Sequence, residues 1–168
     1  MKFKQLWSNF PEKENIKTRC YNKQPAGSAP FSDYCAIMLS EALIVSGFSM
    51  NGFKGKKCWS HDGMRHALLA EELANHLKST HTPWLGKMEK LLPSTFEKTI
   101  SGRSGIIFFK DYWKRGSETF ENRSGDHIDL WNGSRITSSS VFTREILEFF
   151  GRVSDLNQSR EIWFWEIS

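Results

Sequence analysis

Residues Asp33 to Ser46 read as one helix that is apolar on almost every side, and such a helix has to be enclosed by the rest of the chain. Ile37, Leu39, Leu43, Ile44 and Val45 leave few polar positions. Ser32 suits the N-cap, Asp33 suits the positive helix end, and Gly47 suits the stop. With 168 residues, 39% of them hydrophobic and 14% aromatic, the chain has enough apolar mass to build that enclosure. One domain over residues 1–168 is the simplest organisation.

The remaining pattern places helices first and strands later. Phe3, Leu6, Trp7 and Phe10 recur at helical spacing and Pro11 ends the run, which predicts a short amphipathic helix over 3–10. Residues 11–31, with Pro25, Gly27 and Pro30, predict an irregular loop, and 48–63 a second loop carrying Cys58 and Trp59. Met64 to Leu77 resumes helical spacing through Leu69, Leu73 and Leu77, and a short helix is expected over Ser94 to Ile100. Gly105 to Trp113 is β-branched and aromatic and predicts a buried strand. His127 to Trp131, an Asn132-Gly133 turn and Ser134 to Ser138 predict a hairpin, in a register that pairs Trp131 with Ser134 and sets Ser138 across from His127. A helix over Phe142 to Val153 and a strand over Arg160 to Ile167 complete the chain. Without βαβ alternation, this order indicates an α+β fold in which a helix packs on an antiparallel sheet.

Several function classes are disfavoured. The net charge is +4, but basic residues are interspersed with acidic ones and form no nucleic-acid-binding arm. No window approaches the roughly 20 apolar residues of a membrane span, so no membrane insertion is expected. Met1 to Phe10 holds no apolar run long enough for a signal peptide, so synthesis in the cytoplasm without a cleaved leader is expected. Three cysteines, Cys20, Cys35 and Cys58, are too few and too odd in number for disulfides to be the source of stability. Cys20 and Cys58 either pair in an oxidising compartment or remain thiols. Cys58, His61 and His66 hint at zinc but lack a matching second pair of ligands, so no metal and no cofactor are expected. Phosphate loops, dinucleotide fingerprints and paired catalytic carboxylates are missing from the sequence.

Two positions suggest nucleophilic chemistry. Cys35 falls in the first turn of the apolar helix, where unpaired amide N–H groups and the helix dipole favour a thiolate. The plainer alternative is an inert buried thiol. His127 and Asp129 lie two residues apart on a strand and therefore share a face, as a base and its orienter would. Ser138 and Asn132 are the other candidates for the third position, and Trp131, on the same face, would wall a substrate site. The combination suggests a cysteine amidase.

At these residues the chain resembles the type VI secretion amidase effectors of the fourth family. Three blocks carry the likeness: Cys35-Ala36-Ile37 with Leu39-Ser40 and Ala42-Leu43, the stretch Arg65 to Ala74, and His127 to Gly133. The resemblance implies a papain-like fold, with an N-terminal helical part and the nucleophile opening a central helix that packs on an antiparallel sheet. It implies hydrolysis of the peptidoglycan peptide stem between D-glutamate and meso-diaminopimelate through an acyl-enzyme on Cys35. His127 would move the proton, Asp129 would hold the imidazole, and the Cys35 backbone N–H would help stabilise the oxyanion. Delivery by the type VI apparatus into a target cell's periplasm and a cognate immunity protein are implied as well. The chain departs from the pattern at Met38, where members often carry arginine, and around Ser138, where they carry an acidic third residue for which Asp129 would substitute. A papain-like hydrolase of another amide, or a non-catalytic module binding cell wall or a partner, are the alternatives.

Overall fold

A computed structural model describes residues 1–137 and 156–168, which group into two units, Met1–Thr80 and His81–Ser168. The first unit opens with α1 (Phe3–Ser8), where the amphipathic spacing predicts it, and its Leu6 is buried. The expected loop over 11–31 is more ordered than predicted. It holds α2 (Lys13–Lys17), with Ile16 buried, and a small hairpin of β1 (Asn22–Gln24) and β2 (Gly27–Ala29) that pairs Lys23 with Ser28. Its strands are only three residues each and mostly exposed, so no buried alternation marks them in the sequence.

The apolar helix forms as α3 (Cys35–Val45) and is buried at Cys35, Ala36, Ile37, Leu39, Ser40, Ala42, Leu43 and Ile44. Gly47 ends it as expected: its φ of 93° lies in the left-handed region, its N–H donates to the Ile44 carbonyl, and Phe48 N–H donates to the Leu43 carbonyl. This is a Schellman cap, and it satisfies carbonyls that would otherwise be left without donors. The helix predicted over 64–77 begins later, as α4 (Ala70–Ser79), with Ala70, Leu73, Ala74 and Leu77 buried. Residues before it are extended because they pair with the preceding loop: Cys58 N–H donates to the His66 carbonyl and Leu68 N–H to the Lys56 carbonyl. Long-range pairing overrides the local helical spacing there.

The second unit contains β3 (Glu89–Leu91), α5 (Phe96–Thr99), β4 (Gly105–Trp113), β5 (Gly125–Trp131) and β6 (Glu161–Glu166). The strands form one antiparallel sheet in the order β3-β6-β4-β5. β3 escapes prediction because two of its three residues are charged, as suits an edge strand. Arg103 bridges Glu89 on β3 and Glu166 on β6. One face of the sheet carries Ile107, Phe109, Trp131, Ile162 and Phe164, covered by Phe96 and Ile100. Helices in one unit and an antiparallel sheet in the other make the fold α+β. Among the described residues no helix is long and apolar enough to cross a membrane. The expected helix over 142–153 and residue Ser138 lie outside the described residues.

Candidate active site

Cys35 is the first residue of α3, 7% exposed, in the first unit. The N-cap is Tyr34, not the predicted Ser32, and the cap makes no side-chain hydrogen bond to the helix. Asp33 takes the capping task instead, its Oδ1 accepting from the Cys35 N–H at 2.9 Å. That N–H, expected to serve an oxyanion, is therefore engaged by a carboxylate in this structure. Tyr34 is held from the other side, its hydroxyl donating to the Cys20 carbonyl at 2.8 Å.

His127 and Asp129 lie in the second unit on β5, every residue of which is buried. As the two-residue periodicity predicts, they meet: His127 Nε2 stands 3.2 Å from Asp129 Oδ2. A carboxylate only accepts, so Nε2 carries the proton of this bond. The other carboxylate oxygen, Oδ1, accepts from Leu130 N–H at 2.7 Å and from the Thr137 hydroxyl. The Asp129 carboxylate thus has two donors besides the imidazole. Thr137 escaped the sequence reading, and nothing in its local pattern singles it out. The His127 ring lies against Phe109, nearly parallel, and edge-on to Tyr112.

A β-bulge adjoins this pair. The regular β4–β5 register runs to Phe109 opposite His127 and resumes only at Trp113 opposite Gly125. Asp111 adopts a left-handed φ of 51°, and its N–H donates to Asp126 Oδ1 at 2.9 Å, replacing the ladder bond that the bulge removes.

Three expectations need correction. Trp131 is not a wall of an open site: it is 4% exposed in the sheet core, edge-on to Phe96, and its Nε1 donates to the Ile100 carbonyl. Asn132 is not an imidazole orienter, because its Oδ1 accepts from Ser134 N–H, the Ser134 hydroxyl and Arg135 N–H and thereby shapes the turn. That wider turn also changes the register, pairing Trp131 with Ile136 where Ser134 was expected.

A second group of reactive side chains lies in the first unit. Single ligand atoms of Cys20, Cys58, His61 and His66 all fall within 4.8 Å of one another. Cys58, His61 and His66 were visible as a partial pattern; Cys20, on a remote stretch of chain, is what the sequence could not supply. None of the three cysteines of the chain is in a disulfide. Burial pushes the Cys20 thiol far up, and neighbouring Cys58 adds to the effect. Burial also pushes the Glu41 carboxyl up, but hydrogen bonds from His66 and Arg19 more than reverse this and hold it below the usual carboxylate range. His66 is held below the usual imidazole range by its burial, against the opposing pull of Glu41.

The family model of the type VI secretion system amidase effector protein 4, Tae4, matches residues 31–165. The chain belongs to this family. It is therefore an amidase effector of type VI secretion, and the matched span includes Cys35, His127 and Asp129. The effector's fold is similar to that of Tae4 from Salmonella typhimurium in its effector–immunity structure with Tai4, with a TM-score of 0.65, 15% identity, and 99% of this chain and 98% of that chain covered. It is also similar to Tae4 in the Tae4–Tai4 complex from Enterobacter cloacae, with a TM-score of 0.62 at 18% identity and coverage of 99% and 98%. Tae4 from Enterobacter cloacae in a structure of the effector gives 0.60 at 18% identity, covering 99% and 96%. No curated protein matches the sequence.

Proposed function

We propose that the effector is a papain-like cysteine amidase that cuts the peptidoglycan stem between D-glutamate and meso-diaminopimelate in the periplasm of a target bacterium. Residues 1–168 act as one catalytic domain, with Cys35 as nucleophile, His127 as general base and acid, and Asp129 as the group that orients the imidazole. The observation that carries this reading is the buried His127–Asp129 pair, in which the carboxylate takes Nε2–H and so assigns the proton-transfer role to Nδ1. Family membership supplies the reaction class, an amide hydrolysis by a secreted effector.

The chemistry follows from these assignments. The helix N-terminus favours a thiolate at Cys35, whose sulfur attacks the amide carbonyl while His127 holds the thiol proton. His127 Nδ1 then gives that proton to the departing amine, leaving a thioester on Cys35. Water deprotonated by the same nitrogen releases the acid. Asp129 stabilises the imidazolium in both half-reactions, and the Leu130 N–H and Thr137 hydroxyl keep its carboxylate in place. For the Cys35 N–H to serve the oxyanion, Asp33 must yield it when substrate binds. An immunity protein like the Tai4 partners of the similar structures would protect the producing cell.

The test is incubation of Gram-negative sacculi with the purified effector and mass spectrometry of the released fragments. The expected products are stems ending in D-glutamate and fragments with a new amino terminus on diaminopimelate. Products cut at another bond would overturn the assigned scissile bond. Equal release by Cys35→Ala would overturn the cysteine mechanism.

A further inference from the structure

We propose that Cys20, Cys58, His61 and His66 bind one zinc ion as a closed, tetrahedral structural site that ties the stretch after α2 to the loop preceding α4. Neither the amidase chemistry nor the family match accounts for this cluster, and Cys20 lies outside the matched span of residues 31–165.

The four side chains converge with the spacing of a ligand shell. Cys20 Sγ is 3.2 Å from His61 Nε2 and 2.8 Å from His66 Nδ1, and the two ring nitrogens are 3.3 Å apart. A tetrahedron with Zn–N of about 2.0 Å and Zn–S of about 2.3 Å has edges of roughly 3.3 to 3.8 Å. The separation of the two ring nitrogens matches its edge of about 3.3 Å, whereas both sulfur–nitrogen distances fall short of an edge of about 3.5 Å and have to open by a fraction of an ångström as the ion enters.

Proton counting shows why a cation belongs there. His66 Nε2 lies 2.7 Å from Glu41 Oε2 and His61 Nδ1 lies 2.9 Å from the Asp62 carbonyl, both of which only accept. Each neutral ring therefore carries its proton on the outer nitrogen and turns a bare lone pair inward. Two lone pairs 3.3 Å apart repel, and the single thiol proton of Cys20 can satisfy only one of them. Zinc accepts both lone pairs and both sulfurs. Two thiols lose their protons to solvent as Zn²⁺ forms two thiolate bonds, so the charges of ion and thiolates cancel.

The surroundings have the form of an outer shell. The Glu41–His66 contact supplies a carboxylate–histidine–zinc arrangement, Arg19 steadies the same carboxylate, and the Ser60 hydroxyl stands 3.2 Å from Cys58 Sγ. Cys20, Cys58 and His66 are almost fully buried, and His61 is partly exposed at the rim. Four protein ligands leave no open coordination position, which is the pattern of a structural ion. Cys20 and Cys58 pack with Ile16, Tyr34 and Ile37 in one apolar cluster, and Glu41 is itself on α3. The ion would thus brace the helix that begins with Cys35.

The effector, purified under reducing conditions and loaded with zinc, should hold one equivalent per chain after gel filtration, by elemental analysis. Cobalt(II) in its place should give the visible bands of a tetrahedral ion together with thiolate charge-transfer absorption. Cys20→Ser, Cys58→Ser and His66→Ala should lose the ion. His61→Ala, at the exposed rim, keeps the test informative should the buried variants fail to fold, and Glu41→Gln should weaken zinc binding by about 10–100-fold. Cys35→Ala should keep full stoichiometry and an unchanged cobalt spectrum, so this result stands or falls apart from the amidase reading. The proposal is overturned by zinc-loaded wild-type protein without stoichiometric metal, or by a cobalt spectrum that survives Cys20→Ser.

Discussion

Among the described residues, two buried imidazoles each pair with a carboxylate, and the pairs differ in how they are built. His66 and Glu41 come from distant parts of the first unit and meet at 2.7 Å, whereas His127 and Asp129 sit two residues apart on one strand of the second, at 3.2 Å. In both, the carboxylate takes Nε2 and dedicates the ring's other nitrogen. At His66 that nitrogen faces the sulfur of Cys20 and a second imidazole, which suits a cation. In the proposed mechanism that of His127 serves a single nucleophile. A paired, buried histidine is thus not by itself a catalytic signature; what its second nitrogen meets decides.

The sharpest way to break this contrast is to remove the imidazoles one at a time. His127→Ala, like Cys35→Ala, should cost at least about 10⁴-fold in muropeptide turnover per folded molecule. His66→Ala should lose far less turnover per folded molecule, and a loss as deep as that of His127→Ala in a stably folded protein would merge the two sites into one. Next in size, Asp129→Asn should lower kcat by about 10²–10⁴-fold, by analogy with triads whose orienter is neutralised. Ser138→Ala, compared side by side, should lose much less; the reverse order would move the orienting role to residue 138. On the stability side, His66→Ala removes a buried ring that is hydrogen-bonded to Glu41 and should lower the unfolding free energy by about 1–3 kcal/mol, read from urea titration. The smallest expected effect is that of Thr137→Val, which removes one donor from Asp129 and should cost about 1 kcal/mol, or roughly fivefold in kcat.

What was legible in the sequence was what depends on local periodicity. The apolar run of α3, the β-branched and aromatic run of β4, the alternation that joins His127 to Asp129, and Gly47 as a stop all declare themselves within a few residues. What escaped depends on contacts between remote segments. His66 to Leu68 look helical but pair with Lys56 to Cys58, and Asn132 gathers three donors into a wider turn than the Asn-Gly dipeptide suggests. Cys20 joins Cys58, His61 and His66 only through the fold, which is why three ligands without a fourth read as chance.

The placing of His127 and Asp129 on a single strand has one more consequence. Any flexing of the sheet carries proton donor and acceptor as a unit, so in the proposed mechanism the tautomer of the imidazole is set before a substrate arrives. An acidic residue borne on a different segment has to be brought to the ring and kept there. A sequence that supplies its own carboxylate from the next position on the same face is released from that demand.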